Sequence, residues 1–304
     1  MRSLRGFFSR WQNLVAITIV VFFVVVAVVA PWLSSPDDPD QPSPFRVAGR
    51  PSDLIPHPPS PEAPLGTMPG QLDIYHTLVW GTRSALRFGL IVALSTAVLG
   101  VLIGAISGYA GGTVSGLSMR ITDAFLAFPV IAGVWLFQQI MLPPRLGIEP
   151  EGFQKTLIDL KVDPVVVTLI LLSWMAYARI INSNMVQLKK QEFVAAARSI
   201  GAGHTRIVFR HLLPNALAPA LVLVARDIGA VVVLEAALTF IGIGGSTEWS
   251  VLLASGRDYV IGIGGNPLAY WWVFLPVTLT LILFGIGWNL LGDGLNEALN
   301  PRSA

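Results

Sequence analysis

Six long apolar stretches constrain the fold of this chain more than any other feature of its sequence. They cover residues 14–33, 88–110, 124–142, 164–181, 216–242 and 269–291. A helix of about 20 apolar residues crosses a hydrocarbon core of about 30 Å. It also satisfies its backbone hydrogen bonds within its own segment, as lipid requires. The sequence therefore predicts an all-α integral membrane protein with six transmembrane helices.

The composition agrees with this fold class. Of the 304 residues, 53% are hydrophobic and 12% are charged, and the mean hydropathy is +0.66; an ordinary soluble domain has about 25% charged residues. The chain has no cysteine and four scattered histidines, which excludes disulfides and thiolate metal sites. We expect no metal site and no catalytic residue.

The first apolar stretch follows a basic segment that contains Arg2, Arg5 and Arg10. Such a start resembles a signal peptide, which stays open as an alternative. The apolar run exceeds the usual length for a signal peptide, and Pro31 would directly follow the cleavage site. We therefore predict that residues 1–35 form a cytoplasmic N-terminus and the first transmembrane helix.

The basic residues of the loops predict the orientation. With a cytoplasmic N-terminus, the inner segments hold ten basic residues and the outer segments hold eight, and basic loops favour the cytoplasmic side. The densest basic cluster, five residues from Lys189 to Arg210, is then cytoplasmic. Because six helices put both termini on one side of the cell membrane, the tail at 296–304 is also predicted to be cytoplasmic.

Residues 36–79 are predicted to form an external loop. Eleven of the chain's 22 prolines lie between Ser34 and Gly70, which favours an extended polar connector. The sequence DIYHTLVWGTRSALRFG then places apolar residues at helical spacing, and we expect a short interfacial helix that leads into the second span. Residues 80–295 form the predicted five-helix core, with a loop at 185–215.

Three glycines in the second apolar stretch are spaced by four residues. Gly100, Gly104 and Gly108 would lie on one face of a helix, where a second backbone can approach closely. We predict that they serve helix packing, and a glycine-lined permeation path stays open as the alternative.

The fifth apolar stretch contains three charged residues, Arg226, Asp227 and Glu235. Charged groups are costly in lipid and usually face a bundle interior or an aqueous path. For Asp227 and Glu235, polar ties between helices and the lining of a translocation path are both open. Trp174, in the fourth stretch, is a third candidate for contact with a cargo.

A polar segment, EFVAAARSIGAGHTRIVFRHLLPN at residues 192–215, separates the fourth and fifth apolar stretches. Its spacing predicts a helix over 189–200, a break at the glycines of GAG, and a second short helix over 204–213. Pro214 lacks an amide hydrogen and suits the corner before the fifth span, which Asn215 can cap. The first helix would place four residues on one side: Phe193, Ala196, Ala197 and Ile200. By pattern alone, a hairpin on lipid headgroups and a docking element for another protein are both open.

This segment resembles the cytoplasmic EAA loop of ABC-importer permeases, which reads E-A-A, three residues, G, nine residues, I-x-L-P. The positions in register are Ala196, Ala197, Gly201, Leu213 and Pro214. Ala195 stands where glutamate is usual, and His211 stands where isoleucine is usual. The form HLLPN and the earlier Glu192 look like the dipeptide, oligopeptide and nickel branch of that family.

The resemblance continues along the chain. Five further elements look like the C-type permease subunit of peptide transporters: PLGT at 64–67, WGTRSALRFGL at 80–90, GYAGG at 108–112, DIGAVVVLEAALTFIGIG at 227–244 and NLLGDGLNEALNPR at 289–302. Two elements depart from the family pattern: TMPGQLDIYH lacks the usual G-R-D, and TEWS stands where P-S-W-G is usual. Both departures concern the predicted external side.

The resemblance implies a type I ABC-importer permease fold and a set of partners. A homologous B-type permease subunit would complete the pathway, two ABC ATPase subunits would bind ATP and Mg²⁺, and an external solute-binding protein would deliver the cargo. The chain has no G-x-x-x-x-G-K-[ST] motif, so we expect it to bind no cofactor and to hydrolyse no ATP. The residues that the resemblance assigns to ATPase coupling are Glu192, Ala196, Ala197, Gly201, Arg210, His211, Leu213, Pro214 and Asn215.

Cargo and mechanism leave alternatives. Transporters with similar membrane subunits carry dipeptides, oligopeptides, nickel chelates or glycosides. A stand-alone secondary transporter or channel would favour internal repeats and ion-coupling carboxylates, and no repeat of span pairs is evident. An intramembrane enzyme is disfavoured because neither H-E-x-x-H nor G-x-S-x-G occurs. We predict a permease subunit of an ATP-driven importer for peptides or a related small solute.

Overall fold

The fold is helical throughout the part of the chain that the computed structural model describes. The described residues are 8, 10–38, 40, 42–47, 54–141, 151–159, 163–261, 266 and 268–299. Within them, strand-like pairing is limited to two isolated bridges, so the predicted all-α class is confirmed. The ends of the predicted N-terminus and tail, at 1–7 and 300–304, lie outside the described residues.

The helices are numbered in chain order. They are α1 (Trp11–Leu33), α2 (Ile74–Ala110), α3 (Gly112–Leu126), α4 (Val130–Met141), α5 (Gly152–Asp159), α6 (Pro164–Ser173), α7 (Met175–Leu188), α8 (Glu192–Ser199), α9 (His204–Arg206), α10 (Leu213–Ala216), α11 (Ala218–Phe240), α12 (Glu248–Ser255), α13 (Arg257–Ile261) and α14 (Trp271–Leu299). A π-helical turn, Ile207–Leu212, joins α9 to α10.

Four helical segments of the described chain are long and apolar enough to cross a membrane. They are α1, α2, α14 and the run Pro164–Leu188, which contains α6 and α7. Two further pairs pass this test only together: α3 with Val130–Gln139, bent by 77°, and His204–Ala216 with α11, bent by 51°. The six predicted spans are reached when each bent pair counts as one span.

The second span is longer than predicted. α2 runs without interruption for 37 residues, about 55 Å at 1.5 Å per residue, so the separate interfacial helix is a wrong prediction. No proline interrupts this stretch, and its glycines need not break it. Gly81 has a packing role, because a Cβ there would lie 2.5 Å from Trp249 Cδ1. α14 likewise continues to Leu299, so the predicted tail begins inside a helix.

The third apolar stretch is broken, whereas the sequence predicts one span over 124–142. α3 ends at Leu126, and Pro129 directly precedes α4. Proline has no amide hydrogen and disfavours helical geometry in the residue before it. The apolar stretch therefore begins in the last turn of α3 and continues, after a break at 127–129, in α4.

The chain divides into two compact units. One consists of residues 1–10, 91–227 and 292–304, and the other consists of residues 11–90 and 228–291. α2, α11 and α14 contribute residues to both units.

In the first unit, α2 and α7 approach each other closely at the three glycines predicted for helix packing. A Cβ at Gly104 would lie 2.5 Å from the carbonyl oxygen of Ala178, and a Cβ at Gly108 would lie 2.7 Å from Met185 Cβ. Gly100 faces the same helix with equally little space. A side chain at any of the three positions would force the two helices apart.

The core of the first unit joins α7 to the loop that follows it. Its buried residues are Ala97, Ala105, Tyr177, Ile181, Met185, Val194, Ile207, Leu212, Ala216 and Ala220. Asn182 of α7 adds a polar tie, because its Nδ2 donates to Ser107 Oγ at 2.8 Å and to Ser115 Oγ at 3.0 Å. The loop between α7 and α11 is therefore packed against membrane helices on its buried side.

The second unit is centred on Trp249 of α12. Its ring contacts Phe23 of α1 and Phe284 of α14, with centroid distances of 5.8 and 5.5 Å. Its Nε1 donates to the carbonyl oxygen of Leu78 in α2 at 3.0 Å. One buried tryptophan from a short helix thus contacts three long helices.

The end of the loop predicted to be external is buried, which corrects the prediction of an extended polar connector. Thr67, Met68, Gln71 and Asp73 are at most 1% exposed. Arg46 reaches Asp73 with an Nη2 to Oδ2 distance of 3.3 Å, and the isolated bridges fold this segment back on itself. Turn-forming residues at 66–71 allow the chain to reverse direction here. The reversal buries polar groups of the segment, which form hydrogen bonds with other buried groups.

Candidate functional site

The loop between α7 and α11 begins with α8, which starts three residues later than predicted. At its end, the Gly201 N–H donates to the Arg198 carbonyl at 3.0 Å, and the Ala202 N–H donates to the Ala197 carbonyl at 3.0 Å. These two bonds form a Schellman ending. Gly201 has a φ of 83°, a conformation that strains any residue with a Cβ. The backbone at the predicted corner therefore requires glycine.

The two sides of α8 differ in exposure. Val194 is fully buried and Ala197 is 6% exposed, whereas Phe193 is 41% and Ile200 is 84% exposed. Ala196 is also exposed. The prediction that Ala197 shares an open face with the other three residues is wrong, because the core of the unit takes up the Val194 side of the helix.

The open side of this loop carries large apolar side chains. Phe193, Ala196 and Ile200 are spaced by three and four residues, so they follow one side of the helix. Phe209 of the π turn is 66% exposed. Exposed apolar surface of this kind is typical of contact sites for another protein or a membrane.

The remaining residues predicted for coupling are distributed over both halves of the loop. Glu192, Gly201, Arg210, Pro214 and Asn215 are exposed, and His211 and Leu213 are partly buried.

The second half of the loop is longer than predicted and contains a π turn. Its helical geometry continues from His204 to Ala216, and the 51° bend to α11 follows Ala216, not Pro214. The predicted cap by Asn215 is wrong, because its Nδ2 donates to the His211 carbonyl at 2.7 Å. In the π register the Leu213 N–H reaches the carbonyl five residues back, at Val208, which accommodates Pro214 inside the helix.

Tyr109, at the end of α2, connects to the loop through two side chains. Its hydroxyl shares a hydrogen bond with His204 Nδ1. Lys189 Nζ donates to its carbonyl oxygen and lies 5.3 Å from the centre of its ring. Sequence reasoning missed His204, because no local pattern points to a partner that lies 95 residues earlier.

Asp227 makes a polar tie within the first unit. The buried Tyr177 hydroxyl of α7 donates to Asp227 Oδ2 at 2.6 Å. Arg226, its sequence neighbour, pairs with Asp293 instead, as expected for adjacent helical residues that point in different directions. The geometry of Asp227 favours the tie between helices over the lining of a path.

Glu235 is fully buried in the second unit, and most of its hydrogen-bond donors come from one short segment, residues 246–250. Its Oε1 accepts from Ser246 N at 2.8 Å and from Ser250 Oγ at 2.7 Å. Thr247 donates through its N–H to Oε1 at 3.2 Å and through Oγ1 to Oε2 at 2.7 Å. The carboxylate therefore anchors the start of α12, and two residues of the unusual TEWS sequence, Thr247 and Ser250, supply three of its donor groups.

Glu248, next to this anchor, is held by the Ser84 hydroxyl of α2, which donates to its Oε2. Burial raises the pKa of Glu248, and the nearby Glu235 carboxylate raises it further. Two carboxylates and several hydroxyl groups therefore lie close together at the start of α12, in the interior of the second unit.

Trp174, the third residue considered for cargo contact, is 9% exposed. Its ring packs against Phe125 with a centroid distance of 5.8 Å. The side chain is therefore largely covered by its own unit. Among the described residues, no group of three or more His, Asp or Glu side chains is arranged to hold a metal ion.

Comparison of the sequence with known proteins identifies the family of this chain. The family described as "Binding-protein-dependent transport system inner membrane component" matches residues 100–304, more than half of the chain. The chain belongs to this family. The match includes the loop from α8 to α10 and all three residues considered for cargo contact.

Individual relatives are similar along nearly the whole permease. The dipeptide transport system permease protein DppC of Alkalihalophilus pseudofirmus is 30% identical over 292 residues, which is 95% of this chain and 85% of that protein. The nickel transport system permease protein NikC of Escherichia coli K12 is 30% identical over 299 residues, 97% of this chain and 95% of that protein. The probable D,D-dipeptide transport system permease protein DdpC of the same organism is 28% identical over 288 residues, 94% of this chain and 86% of that protein. The chain is therefore a multi-pass permease component of a binding-protein-dependent transport system.

Proposed function

We propose that this permease carries peptides, or a related small solute, that an external binding protein delivers. Separate ABC ATPase subunits would drive it by hydrolysing ATP with Mg²⁺. The dipeptide and nickel permeases among its relatives support this range of cargo. The observation that carries the proposal is the construction of the loop from Glu192 to Ala216, which is buried on one side and exposes apolar side chains on the other.

The buried side of the loop would transmit movement to the membrane helices. Val194 and Ile207 share one core with Tyr177 and Met185 of α7, so α8 cannot shift without disturbing that helix. Protein cores are close-packed and resist deformation. An ATPase subunit that moves α8 would therefore also move the ends of α7 and α11, and so exchange the inward and outward openings.

The exposed side of the loop would be the contact surface for the ATPase. Phe193 and Ile200 offer apolar anchors, and the exposed Arg206 and Arg210 offer positive charge for acidic partner groups. Ala195 is exposed and uncharged, so the only acidic residue at the start of α8 is Glu192. Docking would therefore depend on apolar contact and basic side chains.

The remaining parts of the proposal concern assembly and orientation. A homologous B-type permease subunit would complete the translocation path, and both termini and the loop would face the cytoplasm. The loop from Lys189 to Arg210 holds the densest group of basic residues in the chain, which supports this orientation. A nickel chelate or a glycoside is the alternative cargo, and a stand-alone secondary transporter is the alternative mechanism.

A matched pair of glycine variants tests the coupling role. A Cβ added at Gly201 or at Gly203 would meet no atom within 4 Å, but only Gly201 has a positive φ. Valine at Gly201 should reduce substrate-stimulated ATP hydrolysis in the reconstituted transporter by about tenfold, because a left-handed residue with a Cβ costs about 1–2 kcal/mol. Gly203→Val should leave the rate near that of the unmodified complex. Equal rates for Gly201→Val and Gly203→Val, with both variants assembled in the membrane, would contradict the proposal.

A further inference from the structure

A basic cleft of about 390 Å³ lies in the first unit, where residues of α2, α3, α7 and α8 come together. Its lining includes three cationic residues, Lys189, Lys190 and Arg198. The described residues that line it include no acidic side chain. A cleft that concentrates one sign of charge attracts ligands of the opposite sign.

The cations of the cleft keep their charge available. Among the described residues, the polar and aromatic contacts of Lys189 Nζ are neutral groups: the carbonyl oxygens of Tyr109 and, at 3.5 Å, of Gly108, and the ring of Tyr109. Within the described part of the chain, no carboxylate lies within ion-pair distance of Lys190 or Arg198. Lysine and arginine together suit a phosphate group, which accepts hydrogen bonds from both.

Glycines leave the cleft open. A Cβ at Gly112 or at Gly116 would meet no atom within 4 Å. Both residues line the cleft, so side chains at these positions would occupy space that a ligand can use.

The position of the cleft along the chain corresponds to the level of lipid headgroups. α2 ends at Ala110, and the run Pro164–Leu188 ends just before Lys189. The cleft is built from the last residues of these two membrane-crossing helices, from residues that closely follow them and from Arg198 of α8. Basic pockets at such helix ends are typical binding sites for anionic lipid headgroups.

An apolar stripe continues from the cleft along α3. Val114, Leu117 and Ile121 are spaced by three and four residues and are 50%, 63% and 48% exposed. Inorganic phosphate has no apolar part that could contact this stripe, whereas the acyl chains of a phospholipid would cover it and remove its apolar surface from water.

We propose that the cleft binds the phosphate headgroup of an anionic phospholipid, with the acyl chains along Val114, Leu117 and Ile121. Lys189, Lys190 and Arg198 would contact the phosphate. Because Arg198 belongs to α8, the bound lipid would also tie this helix to the ends of α2 and α7.

The test measures lipid retained by the purified full-length chain without ATPase subunits, so its result is independent of the proposed coupling role. Native mass spectrometry compares phosphatidylglycerol with phosphatidylcholine of the same acyl chains. The unmodified chain should prefer phosphatidylglycerol. The double variant K190Q/R198Q should bind it about 25-fold more weakly, at about fivefold for each basic residue near the headgroup.

Two controls separate the cleft from general charge and from folding. R206Q/R210Q removes the same charge from exposed residues that do not line the cleft, and it should retain the preference. Gly116→Leu fills the cleft with every cation still present and should lose the preference, whereas Gly203→Leu should keep it. The thermal unfolding temperatures of Gly116→Leu and Gly203→Leu should match.

The outcomes assign the ligand. Displacement of phosphatidylglycerol by millimolar inorganic phosphate supports a phosphate site and assigns it to the free anion. Equal retention of the two lipids by the unmodified chain would overturn the proposal. So would a preference that survives in Gly116→Leu, or one that falls equally in R206Q/R210Q and K190Q/R198Q.

Discussion

Glu235 and the loop from Glu192 to Ala216 both interrupt apolar sequence with polar residues, but they find their partners in different places. The Glu235 carboxylate is fully buried and accepts its hydrogen bonds from Ser246, Thr247 and Ser250 of its own unit. The loop buries one side and leaves large apolar side chains exposed on the other. A charged residue in a membrane segment is therefore weak evidence for a transport path when groups of its own chain supply all of its hydrogen-bond partners. Surface that the chain leaves uncovered is the better sign of a partner.

The largest expected effect on stability comes from removing the buried carboxylate. Glu235→Ala removes the acceptor of the Ser246 and Thr247 N–H groups and of the Thr247 hydroxyl, at about 1–3 kcal/mol for each donor left unpaired, so the free energy of unfolding should fall by about 3 kcal/mol or more. The matched variant Glu192→Ala changes an exposed glutamate and should alter stability by less than about 0.5 kcal/mol. Tryptophan fluorescence during thermal unfolding in detergent measures both. Equal melting temperatures for Glu235→Ala and Glu192→Ala would contradict the claim that the Glu235 carboxylate stabilises the fold and the exposed Glu192 does not.

A smaller effect is expected for the tie between Tyr177 and Asp227. Tyr177→Phe removes one hydrogen bond to a carboxylate, which contributes about 1.5–3 kcal/mol, and should lower the melting temperature. Tyr75→Phe is the control, because the Tyr75 hydroxyl donates to the Leu33 carbonyl at an exposed position, at 3.2 Å. A Tyr177→Phe variant with unchanged stability and reduced uptake would instead support a role for Asp227 in the path.

Much of the fold follows from local sequence. Apolar length predicts membrane helices, because lipid leaves the backbone few alternatives. The corner at Gly201 is also a local property, since its Schellman ending uses residues of a single turn. The break before α4 could have been predicted from Pro129, a residue that directly hinders the helix on its N-terminal side.

Features that depend on distant residues could not be predicted in this way. The buried side of α8 depends on Ile207 and Leu212, which return to the same core after the glycine corner. The anchor at Glu235 depends on a loop that brings Ser246 and Ser250 back to it. Helical spacing alone predicts how wide the apolar face of a helix is. It does not predict which residues of that face the rest of the chain will bury.

Docking of ATPase subunits on the exposed side of α8 can be measured directly by their retention on a tagged permease, co-expressed with the other subunits of the transporter. Ile200→Asp places a charge on a residue that is 84% exposed, and Leu268→Asp does the same at a residue that is 71% exposed in the second unit. Both variants should fold, because neither side chain is buried. We expect Ile200→Asp to lose the ATPase subunits and Leu268→Asp to retain them. Full retention by Ile200→Asp, or equal loss in both variants, would contradict the assignment of this loop as the coupling element.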